Sequence, residues 1–180
     1  MTNEVLTLCT ELWDLGHELF KSSPETFPAH FVGGNFLDPE ILAVVPPASR
    51  ETVGAPSPVL SNLISLNPLH GRVSVLHTLA FFHLFTEAEQ LHIARASAGL
   101  LSAEPGSVIV GCHIGARVKG PVKQTFSGVV VNMFAHTLES WIALWDGEVF
   151  EKGTVKVEAE LRDGGVGSYQ ELMFWSVTRL

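Results

Sequence analysis

The segment from Arg72 to Gly111 limits the fold more than any other part of the chain. Arg72-Val73-Ser74-Val75-Leu76-His77 is a strand candidate rich in β-branched residues. Thr86-Glu87-Ala88-Glu89 is a capping box, and the helix it opens carries Leu91, Ala94, Ala98 and Leu101 on one face before Pro105-Gly106 stops it. Ser107-Val108-Ile109-Val110-Gly111 is a short apolar run bounded by glycine, the pattern of a strand buried on both faces of a parallel sheet. Strand, helix and strand in that order form a right-handed crossover, because only that hand packs the helix back onto a twisted sheet. The expectation is an α/β fold.

The flanking segments extend that sheet. Val5, Leu8, Leu12, Leu15 and Leu19 recur at spacings of three and four, which predicts a helix over Val5 to Phe20 with one buried stripe, widened by Trp13 and Phe20 and ended by Pro24 and Pro28. His30-Phe31-Val32 leads through Gly33-Gly34 into Asn35-Phe36-Leu37-Asp38-Pro39, read as a short strand and a turn, after which a short helix runs to Leu42. Residues 46–68 hold Pro46, Pro47, Pro56, Pro58 and Pro68 and read as a long loop: a lid, a binding element or a plain insertion, with Val59-Leu60 and Leu63-Ile64 anchoring a short helix. Gly115 to Gln124 reads as irregular and Val129-Val130-Val131 as a strand. Thr137 caps a helix bearing Leu138, Trp141, Ile142 and Trp145. Thr154 to Leu161 alternates apolar with polar, and Leu172 to Val177 pairs with it across Gly164, Gly165 and Gly167. The predicted architecture is one α/β domain over residues 1–180, a mixed sheet with a C-terminal antiparallel hairpin.

Composition narrows the function. Of 180 residues 46% are hydrophobic and 17% charged, so the chain has more than enough apolar surface for a core, and self-association is one outlet for the excess. A net charge of −8 repels phosphate backbones and anionic lipid headgroups, which argues against nucleic-acid and membrane partners. Cys9 and Cys112 stand apart without a C-x-x-C pair, as suits a reducing compartment. Glu4, Glu11 and Asp14 interrupt the N-terminal apolar positions, so a leader is disfavoured and a cytoplasmic location is expected.

Four segments carry a resemblance: Leu12 to Phe20 (Leu-Trp-Asp-Leu-Gly-His-Glu-Leu-Phe), Asn35 to Pro39, Phe82-His83-Leu84-Phe85, and Pro105 to Gly111. In that order, over about residues 5 to 180, the chain resembles the class I S-adenosylmethionine methyltransferases of fungal meroterpenoid and polyketide pathways. The resemblance implies a truncated Rossmann-like fold. It also implies that the chain begins after the Gly-rich turn that cradles the cofactor's methionine part, that Thr7 stands where the family has its ribose-binding acid, and that Asn35 stands at the acid near the adenine. Loss of all three implies no cofactor. The family's first strand would then be missing from mid-sheet. Either the N-terminal helix or a second copy covers the bare edges, and a homodimer using both regions is expected.

Imidazole gives or takes a proton near neutral pH, so the histidines are the leading candidates for chemistry. The resemblance puts His77 at a strand end, His83 on the turn after it, and His113, where the family has Gln, after the strand Ser107 to Gly111. All three would then lie near the sheet's C-terminal edge, where open α/β folds bind ligands. His113 is the expected proton donor or polariser and His83 the second, with Asp38 or Glu87 as orienting partners. The alternative for His77 and His83 is a packed core imidazole. Phe81, Phe82, Cys112, Met133, Phe134 and Trp141 are candidate walls of an apolar substrate cavity. His17, His30, His70, His92 and His136 read as surface or loop residues. Convergence of His77, His83 and Glu87 is the one metal arrangement to consider, but no H-E-x-x-H or similar spacing supports it, and Ser107 lacks a nucleophile-elbow context. No metal is expected. The expected function is a cofactor-independent isomerase, dehydratase or pericyclic cyclase such as a Diels–Alderase, acting on a small apolar natural-product intermediate. The rival is a non-catalytic pseudo-methyltransferase that partners or regulates another pathway enzyme.

Overall fold

A computed structural model describes residues 10–23, 25–27, 29–49, 58–126, 129–164 and 171–180. Val5, Thr7, Leu8, Cys9, Pro24, Pro28, Pro56, Gly165 and Gly167 lie outside the described residues. The chain divides into two compact units.

The first unit comprises, among the described residues, positions up to Ala43 and from 58 to Leu69. Helix α1 spans Thr10–Phe20. It ends on its own cap well before Pro24: Lys21 adopts a left-handed φ of 53° and the Ser22 N–H donates to the His17 carbonyl at 3.0 Å, so orphan carbonyls of the last turn are satisfied locally. The expected buried stripe is a correction. Leu12, Leu15, Leu19 and Phe20 are 55–78% exposed, whereas Trp13 stacks on Phe31 with ring centroids 5.3 Å apart. Periodicity identified the stripe, but among the described residues most of it stays exposed. The strand expected at Asn35 is also absent. Asn35 Oδ1 instead accepts from the Leu37 N–H at 3.0 Å, a local turn that competes with ladder pairing. Asp38 then caps α2, Pro39–Leu42, accepting from the Glu40 N–H at 2.9 Å. The loop that follows contains 3-10 turns at Leu60–Asn62 and Asn67–Leu69.

The second unit holds positions 44–52, of which 44–49 are described, and His70 to Leu180. Strand β1 (Val75–Leu79) and strand β2 (Val108–Gly115) are parallel and joined through α3 (Glu87–Leu100), the expected crossover. The Thr86 capping box is formed in both directions, and Ala94, Ala96, Ala98 and Gly99 let α3 sink in until it is buried nearly all round from Ile93. Strands β3 (Gly120–Phe126) and β4 (Val129–Ala135) form a separate antiparallel pair, so the stretch read as irregular after Gly115 is largely a strand. Helix α4 spans Leu138–Trp145 on its Thr137 cap. Strands β5 (Val155–Asp163) and β6 (Glu171–Arg179) make the C-terminal antiparallel hairpin. Sheet order is β1-β2-β6-β5, a mixed sheet in an α/β fold with the hairpin at one side.

One sheet face is the core. Ile109, His113, Met173, Trp175 and Val177 point into it, while Val75 and Leu79 on the opposite face are each 64% exposed. Strand β2 is therefore buried more fully on this face than on the other, where Val108, Val110 and Cys112 are half-buried. Gly111 marks the tightest spot. A Cβ there would lie 2.5 Å from Trp175 Cζ2 and 2.6 Å from the Thr78 carbonyl, distances no real side chain tolerates, so the bare backbone is what lets Trp175 lie flat across the strand.

Candidate functional site

The chemistry gathers where β1 and β2 end. Chain leaving β1 turns through Ala80, a non-glycine residue with a left-handed φ of 51°, held by an N–H bond of 2.7 Å to the Cys112 carbonyl. Such strain costs on the order of 1 kcal/mol and is kept where the surrounding structure demands it. The turn delivers the 3-10 segment Phe82–Leu84, which places Phe82 and His83 against the core face of β2. His113 lies there, 2% exposed, its ring centroid 6.4 Å from that of His83 and 4.6 Å from that of Trp141. Trp175 Nε1–H donates to His113 Nδ1 at 2.9 Å. An indole is a donor only, so Nδ1 must be the unprotonated nitrogen and the neutral ring carries its proton on Nε2. That Nε2 and His83 Nδ1 are buried with no protein partner.

A third imidazole joins them. His136, between β4 and α4, is 2% exposed, with its ring centroid 5.4 Å from that of Trp141 and its Nδ1 2.9 Å from Ser140 Oγ. Reading it as a surface or loop histidine was wrong: the residue sits between the end of β4 at Ala135 and the Thr137 cap of α4, and it is buried there. Ser140 Oγ accepts from the Thr137 N–H at 3.0 Å and also contacts the Thr137 carbonyl at 3.2 Å. When its hydroxyl proton goes to that carbonyl, His136 Nδ1 donates to Oγ and the lone pair sits on Nε2, which is buried without a protein partner. Gln90 ties the two halves together, its buried side-chain amide donating to the Phe85 carbonyl at 3.1 Å and the Phe134 carbonyl at 2.9 Å.

All three imidazoles are neutral at pH 7. Burial pushes His83 down to about 4 and His113 to about 3, the latter also repelled by His83 and His136. His136 falls to about 4, first through burial and then through the Lys119 ammonium, while Glu87 opposes the shift. His136 and Ser140 line a cleft of about 510 Å³ with Glu87, Leu91, Lys119 and Glu148, within the size range of small-molecule sites. Lys119 Nζ and Glu87 Oε1 pair at 2.5 Å on its wall.

The expected residues divide. His83, His113, Phe82 and Trp141 are brought together in one aromatic cluster. His77 and Cys112 lie on the opposite sheet face, because each is one residue out of register with the inward positions Thr78 and His113. Phe81 packs on Phe85 at 4.9 Å. Met133 and Phe134 are successive residues of β4 and so point to opposite faces, with Phe134 toward His136. Glu87 sits in the cleft wall, whereas Asp38 is the α2 cap of the other unit. His136, Ser140, Lys119, Gln90 and Trp175 were missed. Of these, the strand-to-helix junction at His136-Thr137 was the one signal in sequence. Among the described residues no group of three or more His, Cys, Asp or Glu is arranged to hold a metal.

Cofactor fit can be tested on the glycines. Gly33-Gly34 is followed by a turn, and Ile41 Cδ1 and Cγ1 come within 2.6 Å of where a Gly34 Cβ would stand, so that backbone is filled by protein. The space at Gly111 is filled by Trp175 and Thr78. Asn35 spends its side-chain oxygen on Leu37. The described strand-to-helix junction at His136 contains no glycine. Gly34, Gly111 and Asn35 are thus each engaged by the protein's own atoms.

No established family profile matches the chain. It is 28% identical over 141 residues to the O-methyltransferase phiE of Fungal sp., covering 78% of this chain and 39% of that protein. It is 28% identical over 176 residues to the asnovolin E/chermesin D methyltransferase nvfJ of Aspergillus novofumigatus, covering 93% and 53%. It is 24% identical over 136 residues to the methyltransferase ausD of Aspergillus calidoustus, covering 76% and 40%. These similarities support a methyltransferase-like family. The chain spans about two fifths to half the length of these relatives. Among the described residues no helix is long and apolar enough to cross a membrane.

Proposed function

We propose that this chain is a methyltransferase-like enzyme of fungal natural-product metabolism that works without S-adenosylmethionine, moving a proton within an apolar, carbonyl-bearing intermediate to isomerise, dehydrate or cyclise it. The observation that carries this reading is the cluster of neutral imidazoles around Trp141: His83 and His113 lie near the ends of the parallel strands β1 and β2, and His136, which follows β4, lies in the wall of a cleft of about 510 Å³. A neutral imidazole is a competent base, and proton transfer of this kind contributes roughly a hundredfold to ten-thousandfold in rate. In this reading His136 is the base: its Nε2, buried in the resting structure, is uncovered when substrate enters the cleft and removes a proton next to the carbonyl, while Ser140 steadies the ring through Nδ1 and the Lys119 ammonium draws the enolate oxygen. His113, with His83 behind it, supplies the polarising N–H on the Trp141 side.

The test uses the full chain and a rigid β,γ-unsaturated ketone such as 5-androstene-3,17-dione, following the absorbance of the conjugated product. Isomerisation by the wild type, falling at least a hundredfold in His136→Ala and in His113→Ala while circular dichroism stays unchanged, is the expected result. No turnover of this ketone or of a panel of pathway intermediates would overturn it.

A second reading is supported by the similarity to longer methyltransferases. There the chain is the acceptor-binding half of a methyltransferase, or its non-catalytic partner, and the same cleft holds the acceptor. Methylation appearing only when a full-length relative and S-adenosylmethionine are added would favour it.

A further inference from the structure

The two edges of the four-stranded sheet differ in kind. Strand β5 presents Lys156, Glu158, Glu160 and Arg162 on its exposed side, locked into the ion pairs Lys156–Glu158 at 2.7 Å and Arg162–Glu160. Charges along an edge block its pairing with another strand. Strand β1, at the other edge, reads Val-Leu-His-Thr-Leu and carries no acidic, lysine or arginine side chain. Its outward residues Val75 and Leu79 are each 64% exposed, His77 between them is also exposed, and register continues this surface onto Val108, Val110 and Cys112 of β2. Among the described residues no strand pairs with the outer edge of β1.

We infer that β1 is an interface strand and that its occupant is β1 of a second copy, paired antiparallel about a two-fold axis at His77. Directly opposite residues of an antiparallel ladder share a face, and of the registers this permits only one pairs all five residues. It sets Val75 against the other copy's Leu79, Leu76 against Thr78, and His77 against its own mate. Every contact is then apolar or neutral. An acidic or basic partner segment would find no complementary charge on this strand, whereas the chain's own strand matches it at every position. The pairing joins two four-stranded sheets into one of eight and covers the uncharged edge, leaving the charged β5 edges at the two ends. Since each copy carries a net charge of −8, added salt strengthens the dimer by screening their mutual repulsion.

The test is sedimentation equilibrium of the full chain at micromolar concentration, with circular dichroism as the fold control. The wild type is expected at about twice 19.5 kDa, more dimeric at high salt. Leu79→Lys and His77→Lys, both at exposed positions, are expected at 19.5 kDa with unchanged dichroism. As a positional readout, His77→Cys in a Cys9→Ser/Cys112→Ser background is expected to cross-link to its mate on mild oxidation. A monomeric wild type overturns the inference, including one that instead binds a full-length methyltransferase. So does a dimer that survives both lysine substitutions, or one in which His77→Cys forms no cross-link.

Discussion

Lowering the pH from 7.5 to 5 tests the imidazole cluster directly. His83, His113 and His136 are 7%, 2% and 2% exposed, and burial holds their folded pKa values at about 4, 3 and 4, against an ordinary value of 6.5 for a solvated imidazole in the unfolded chain. The unfolded state therefore binds more protons between those limits, so stability is complete above about 6.5 and is lost as the pH falls toward 4 for His83 and His136 and toward 3 for His113. At pH 5 an unfolded imidazole is almost fully protonated and each folded one is still neutral. The gap of about 1.5 pH units below the unfolded pKa, at roughly 1.4 kcal/mol per unit, gives about 2 kcal/mol for each ring and about 6 for the three. Whole domains are stable by only about 5–15 kcal/mol, so this is a large fraction. Urea denaturation followed by tryptophan fluorescence reports on the cluster, since Trp141, Trp145 and Trp175 surround it. His113→Phe keeps an aromatic ring, a somewhat larger one, and removes one titrating group, so its loss between pH 7.5 and 5 should be smaller than that of the wild type by about 2 kcal/mol, whatever its absolute stability. A wild-type loss below about 2 kcal/mol, or a variant with the wild-type pH dependence, would refute the claim that these rings are held neutral by burial.

Three further outcomes follow from individual contacts. Gly111→Ala drives a methyl into Trp175 and the Thr78 carbonyl, and an overpacking cost of about 1–3 kcal/mol should lower the melting temperature by several degrees in calorimetry. Lys119→Ala should raise the His136 pKa and Glu87→Gln should lower it, opposite signs that imidazole NMR titration separates; equal shifts would place neither charge beside the ring. Thr86→Ala removes the reciprocal cap of α3 and should cost about 1 kcal/mol in chemical denaturation while leaving the His136 titration unmoved.

Local signals were legible wherever the chain declares itself within a few residues. The Thr86 and Thr137 caps, the short helix ending at Leu42, the crossover from β1 to β2 and the alternation of β5 against β6 all reappear in the structure, because capping geometry and side-chain period depend on near neighbours. Gly120 to Phe126 did not declare itself as a strand. It contains Gly, Pro and Lys, residues that disfavour strands in isolation, and it is held by pairing with β4 from Gly120 opposite Ala135 to Phe126 opposite Val129.

Burial was the harder quantity. The α1 stripe has helical period and is exposed, and His136 looks like a loop residue and is buried, since period says which residues share a face and not what covers it. The candidate site repeats the lesson. The resemblance placed His77, His83 and His113 near the ends of two strands, but parity in the β1–β2 register separated His77 and Cys112 from the other two. Packing of the 3-10 turn, β4 and α4 around Trp141 brought in His136, and Gln90 pinned that packing from 44 positions away. Caps, periods and the crossover are short-range and belong to the sequence. Which imidazoles meet, and how far their protons are held from water, depends on contacts across long stretches of chain, and these exist only once the tertiary structure has formed.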